Sequence, residues 1–240
     1  MRTTGKYPST GKEKRYLMLP LPQNLPRNFR NLIFVLALVL ASNLLTHRML
    51  KPQLPESPEA PFSAGPELYL MDKARLFVTE EASFEKKVRD IAGMLEVPAE
   101  WLMAVMYAES KFDPSVSNYK GSGAVGLIQF MPGTALELNV STERLQRMNV
   151  LQQLEYVFIY LQTVRDRYGN FGSLTDLYLA VLYPKAIGQD YCYTLFSKPA
   201  QSYNQNSGLD EDRDGRITIS DIDRRLKRLF PTAYMTEKLP

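Results

Sequence analysis

Two residue types that often carry chemistry are nearly missing from this sequence: it has one cysteine, Cys192, and one histidine, His47. A lone cysteine excludes an intramolecular disulfide framework and a multi-cysteine metal site. A nucleophilic cysteine also needs a base within hydrogen-bond reach. Only His47 could serve, and it lies beside an apolar N-terminal run, so Cys192 is expected to be an ordinary packed residue. Strand signals are few and no internal repeat is visible. What remains is ordinary for a globular protein: 45% hydrophobic and 23% charged residues in 240, enough for a full core.

The net charge of +3 conceals an asymmetry. Residues 1–51 hold nine Lys/Arg and one Glu, a charge of +8, while the remainder carries −5. A basic tail ahead of an acidic body points to nucleic acid or to a membrane. The basic residues concentrate ahead of an apolar segment, which argues against nucleic acid. Leu32 to Ala41 is apolar throughout, and Leu44 and Leu45 extend it. Lys/Arg before such a stretch is the pattern of a segment whose N-terminus stays in the cytoplasm. The run is shorter than the roughly 20 residues a spanning helix prefers. Val39-Leu40-Ala41 also offers a small-residue cleavage site. Residues 1–31 therefore read as a basic tail, and 32–50 as a membrane anchor or, alternatively, a signal segment. Both imply export, either to the periplasmic face of the cytoplasmic membrane or as a free periplasmic or secreted protein. Residues 51–66, with Pro52, Pro55, Pro58, Pro61 and Pro66, read as an extended spacer.

The folded domain is expected over 67–235 and is mainly α. Phe84, Val88, Ile91, Ala92 and Leu95 recur at helical spacing between Ala82 and Leu95. Pro98 stands where a helix can start. Trp101 to Ala108 is apolar on every side, the mark of a buried helix. Asn149 to Tyr168 is a further long helical pattern, and Ser173 is a reasonable N-cap for Leu174 to Tyr183.

Glu109 closes the buried helix. Its same-face neighbours are Leu102, Val105 and Met106, so the carboxylate points where the core points. An apolar site raises a carboxyl pKa and lets it hold a proton near neutrality, as a general acid must. The plain alternative is a helix-terminal Glu that turns to solvent or pairs with a Lys.

After Glu109 the chain reads Ser110-Lys111-Phe112-Asp113-Pro114, then Gly121-Ser122-Gly123-Ala124-Val125-Gly126-Leu127-Ile128-Gln129-Phe130-Met131-Pro132-Gly133-Thr134-Ala135. This ordered pattern resembles the soluble lytic transglycosylase (SLT) family of the lysozyme-like superfamily, strongly over 98–135 and more weakly to Gly188. The resemblance implies a fold of the goose-type lysozyme kind. It implies cleavage of the bond between N-acetylmuramic acid and N-acetylglucosamine in peptidoglycan glycan strands, leaving a 1,6-anhydromuramic end. Glu109 matches the family's sole catalytic acid/base. Gln129 and Met131 match positions lining the sugar groove, with core packing as the alternative. Gly123, Ala124 and Gly126 match a turn that brings backbone to the substrate, and Ser110 matches a residue that is either structural or substrate-binding. Tyr183 is the counterpart of a tyrosine that bonds near the carboxylate and the sugar. Pro184 replaces an asparagine beside it, and Asn118 stands nearest to a missing serine. Asp113 is the nearest second carboxylate; a water-activating acid there would make a lysozyme-type hydrolase instead. An inactive wall-binding scaffold is the remaining alternative.

The segment Asp210 to Asp221 places acids at positions 1, 3, 5 and 12 of a loop, with Gly215 at 6. That spacing matches an EF-hand-like Ca²⁺ loop. Asp210, Asp212, Asp214 and Asp221 would give carboxylates and Arg216 its carbonyl, with Thr218 at position 9. Position 12 is Asp rather than Glu, as in dockerin-like loops. No clear helix enters the loop, while Ile219 to Phe230 can form the exiting one. The metal would be structural rather than catalytic.

Overall fold

The structure, a computed structural model, describes residues 67–118 and 121–234. The basic tail, the apolar segment with His47, and the proline-rich spacer lie outside the described residues. A short helix α1 (Met71–Ala74) leads into α2 (Glu81–Leu95) and α3 (Ala99–Ser110). Two short helices follow, α4 (Pro132–Glu137) and α5 (Thr142–Gln146), then the long α6 (Val150–Tyr168) and α7 (Leu174–Leu182). The C-terminal part contributes β1 (Thr194–Ser197), α8 (Gln201–Asn206), β2 (Arg216–Thr218) and α9 (Ile219–Leu229). The strands form an antiparallel pair in which Phe196 faces Ile217, with an irregularity after Thr194.

Local chemistry explains the helix ends. Asn149 and Gln152 bond reciprocally to each other's backbone N–H and so cap α6. The Ser173 hydroxyl accepts from Asp176 N and starts α7. Pro132 occupies the first turn of α4, where its missing N–H costs nothing.

The apolar run of α3 lies in the core: every residue from Trp101 to Met106 is buried. Helix α2 packs on it from one side and α7 from another, and α6 crosses both α2 and α7. Lys87 on α2 pairs with Glu155 on α6 at 2.9 Å. Arg165 on α6 donates to Met94 O at the end of α2, supplying one of the carbonyls a helix C-terminus leaves open. The buried residues of α9, Ile219, Ile222 and Leu226, join the same core cluster as α3 and α7. Among the described residues no single helix is long and apolar enough to cross a membrane. The one pair that passes jointly, α2 with α3, is bent by 110°.

Cys192 departs from expectation. It is exposed rather than packed, because it falls in a turn ahead of β1 and not on an inward face.

Candidate active site

Helix α3 ends immediately after Glu109, and the ending is abrupt. Lys111 (φ 56°) and Phe112 (φ 68°) both adopt the left-handed region, which is unfavourable for residues with a Cβ. What holds them there is packing. Phe112 is fully buried and meets Phe84 edge-on at 6.4 Å and Tyr107 at 5.8 Å. Lys111 lies 4.1 Å over the Tyr107 ring and donates to Tyr107 O at 3.0 Å. The lysine next to the candidate acid is thus tied to its own helix end.

Glu109 keeps a partial opening to solvent, yet protein crowds its carboxyl from most directions. The crowding governs its protonation: loss of hydration pushes its pKa up to about 7. A hydrogen bond from Tyr178 and the charges of Arg225 and Lys111 act in the opposite direction but do not cancel it. Tyr178 is itself buried, and burial followed by the neighbouring Glu109 raises its pKa well above the usual phenol range. Its hydroxyl therefore stays protonated and donates to the carboxyl. The resemblance assigned that position to Tyr183. In the structure Tyr183 ends α7 and rests edge-on against Phe196 at 5.6 Å. Tyr178 lies five residues earlier, about 1.4 turns, and so leaves α7 in a different direction from Tyr183.

The loop 113–131 forms the wall beside the acid. Asp113 Oδ1 accepts from Ser115 N (2.8 Å) and Ser115 Oγ (2.7 Å), a local turn that occupies this second carboxylate. Asn118 N donates to Ala124 O at 2.9 Å, and Val125 and Phe130 exchange both backbone bonds. Ala124 is buried, so it packs the loop rather than lining a surface. Gly123 is exposed with φ 75°, and a Cβ there would come within 3.0 Å of Pro132. Gln129 takes φ 54° and turns its amide inward, donating to Gly126 O at 3.1 Å. Met131 is 48% exposed, the accessible apolar surface that a sugar face can use. Ser110 is buried and its hydroxyl lies 3.0 Å from both Met106 O and Leu127 O. It fastens α3 to the loop.

Three contributors were not legible beforehand. Gln153 is fully buried on α6. Its Oε1 accepts from Leu127 N at 2.9 Å, and its amide donates to Pro114 O (2.6 Å) and Leu145 O (2.8 Å). Gly126 is glycine on its account: φ is 77°, and a Cβ would stand 2.4 Å from Gln153 Oε1. The backbone at Gly126 thus approaches Gln153 closely. The signal was present, since Gln153 interrupts the apolar stripe of Val150, Leu154 and Val157. Tyr178 could have been noticed as the polar-tipped residue in the apolar run from Leu177 to Leu182 of α7. Arg225 carried no such signal, being brought toward Glu109 only by the docking of α9.

Of the residues expected to hold metal, Asp210, Asp212 and Asp214 converge, each offering an oxygen within 4.8 Å of the others. Asp221 is outside that group of three, though Arg224 Nη2 donates to both its Oδ1 and Asp212 Oδ2 at 2.7 Å. It is almost fully buried and works as the N3 member of a capping box with Thr218 at the start of α9. A helix of two turns or less, α8, with a 3₁₀ turn at Ser207–Leu209, precedes the loop where no entering helix was evident.

No curated protein sequence matches the chain. Residues 87–189 match the family model described as Transglycosylase SLT domain. The matched span runs from the middle of α2 to just past α7, and so contains Glu109, the loop that follows it, Gln153 and Tyr178; over these residues the chain is similar to the transglycosylase SLT domain.

Proposed function

We propose that this chain is a peptidoglycan lytic transglycosylase in which Glu109 is the sole acid/base. The observation that carries the reading is a carboxyl group inside the SLT match, at the end of a buried helix, that burial keeps protonated up to about pH 7. Such a group can act as acid first and as base afterwards.

Glu109 donates its proton to the oxygen joining N-acetylmuramic acid to N-acetylglucosamine, and the bond from that oxygen to the muramic anomeric carbon breaks. The substrate's own acetamido oxygen stabilises the cationic carbon, a substrate-assisted route that needs no second carboxylate. The Asp113 turn supports this reading, since its Oδ1 is already bonded to Ser115. The Glu109 carboxylate then takes the proton of the muramic 6-hydroxyl, whose oxygen attacks the anomeric carbon. The acid is regenerated, no water is consumed, and the product carries a 1,6-anhydro end. Tyr178 orients the carboxyl, Met131 gives an apolar platform, and Gln129, Tyr183 and Asn118 border the path of the sugar. Correct placement of this kind supplies a large part of a rate enhancement.

Purified peptidoglycan digested with the full chain and analysed by mass tests the reading. Anhydromuramic ends are expected, with Glu109→Gln releasing no fragments. Reducing muramic ends would assign a hydrolase, and undiminished release by the variant would remove Glu109 from the chemistry. The basic tail, the apolar segment and the spacer hold the domain at the outer face of the cytoplasmic membrane in this reading. It is supported by the charge pattern of residues 1–51, and loss of the full chain from membranes in an alkaline wash would contradict it.

A further inference from the structure

The loop from Asp210 to Asp221 lies outside the SLT match and plays no part in the chemistry above. The convergence of Asp210, Asp212 and Asp214 is by itself only an acidic cluster, and acidic clusters are common on surfaces. A separate feature gives it meaning. Asp210 is 8% exposed, and its Oδ2 is committed to Tyr203 Oη (2.7 Å) and Gly215 N (3.0 Å). Its Oδ1 is buried with no hydrogen-bond partner. A buried carboxylate oxygen left without a partner is a costly arrangement in a folded protein. Oδ1 is also the oxygen that Asp210 has left to contribute to the cluster.

We propose that this loop is a Ca²⁺ site held by Asp210, Asp212, Asp214 and the backbone carbonyl of Arg216. An all-oxygen donor set selects a hard cation, and Ca²⁺ tolerates the irregular geometry of a flexible loop better than Mg²⁺ does. The backbone is already bent for it. Gly215 takes φ 88° at the sixth position, and Asp214 N and Arg216 N fold back on Asp212 Oδ1 and Asp214 Oδ1. In the structure the charge of the cluster is balanced by arginines: Arg216 pairs with Asp214 at 2.9 Å and Arg224 with Asp212 at 2.7 Å. These pairs are exposed, so the cation displaces them at small cost. Asp221 contributes indirectly. Its Oδ1 accepts from Glu211 N and Arg224, and its Oδ2 from the N–H and hydroxyl of Thr218, which fixes the exit of the loop into α9.

The site ties α8, through Tyr203, to α9, and its role is to stiffen the C-terminal segment. Calorimetric titration of CaCl2 into the EDTA-treated full chain in detergent tests it, alongside thermal melting. One ion per chain and a Tm that climbs with Ca²⁺ concentration are expected. Asp210→Asn risks misfolding because of its bonds to Tyr203 and Gly215. The discriminating variant is therefore D212N/D214N, whose residues are exposed. It is expected to melt like the parent in EDTA and to lose the Ca²⁺-dependent rise. Absence of saturable uptake up to about 10 mM, well beyond the roughly 10⁻³ M end of the range for extracellular loops, would overturn the proposal. So would an equal response to MgCl2 at matched ionic strength, or an unchanged response in the variant.

Discussion

Glu109 is held at odds with the stability of the protein that contains it. In the unfolded chain its carboxyl titrates near 4.5, while in the fold burial raises it to about 7. Below that window both forms carry the proton and the group is neutral toward folding. As pH rises from about 4.5 to about 7 the unfolded chain loses the proton and the folded one keeps it, so stability falls. The linkage relation puts the loss at about 3 kcal/mol once both forms are ionised. Glu109→Gln removes the titration while its side-chain oxygen can still accept from Tyr178. The variant is expected to match the parent near pH 4 in denaturant titrations and to exceed it by up to about 3 kcal/mol at pH 8. The pH dependence of catalysis should share the same origin. A reaction that begins with proton donation requires the acid form, so kcat/KM for glycan cleavage should decline as pH passes about 7. A plateau extending two units higher would mean that another group supplies the proton.

Among the elements, the loop 113–131 depends on one side chain from a helix remote in sequence. Gln153 satisfies one backbone donor and two backbone acceptors of the segments that wall the acid. Gln153→Leu keeps the volume but leaves those groups buried and unpaired, each costing about 1–3 kcal/mol. A loss of at least 3 kcal/mol is expected by chemical denaturation. Gly126→Ala approaches the same contact from the other side, adding strain at φ 77° and a 2.4 Å clash with Gln153 Oε1. Both variants are expected to lose glycan cleavage together with stability, whereas Ser122→Ala in the same loop should change neither much. These contacts also explain what the sequence could and could not disclose. Periodicity located α2, α3, α6 and α7 to within a residue or two, because each carries a face that must be buried. The carboxylate was legible for the same reason, standing at the end of an apolar helix. The partner tyrosine was not, because Tyr178 lies in the middle of α7 and Tyr183 at its end, and only the packing of α7 on α3 shows which one reaches Glu109. A motif fixes which residues occur together, and not whether each meets a substrate or holds the loop from behind: Ala124 is buried, and the Ser110 hydroxyl bonds backbone, as its structural alternative has it.

At the scale of the whole molecule, the family match ends at residue 189 but the core does not. Ile219, Ile222, Leu226 and Phe230 are all buried in the cluster that includes α3 and α7. At about 1.5–3 kcal/mol each as an upper estimate, their burial rivals the 5–15 kcal/mol of a typical domain. Polar contacts follow the same route. Asp223 accepts from Thr175 on α7 at 3.2 Å, and Tyr69 near the first helix meets Phe230 edge-on at 6.5 Å. The segment also brings Arg225 close enough for its charge to favour the ionised form of Glu109. Residues 190–234 are therefore expected to be part of the folding unit and not an appendage to it. A fragment of residues 67–234 should melt in one cooperative transition. A fragment of 67–189 should show no such transition and should bind a hydrophobic dye, because the face of α7 that receives α9 is left open to water. A shorter fragment that melts cooperatively at the same temperature would make the C-terminal segment an accessory. Arg225→Ala in the full chain separates its electrostatic effect from its packing. Its loss should raise the Glu109 pKa further and carry the alkaline limb of the pH–rate profile upward, since the charge of Arg225 opposes the shift that burial imposes.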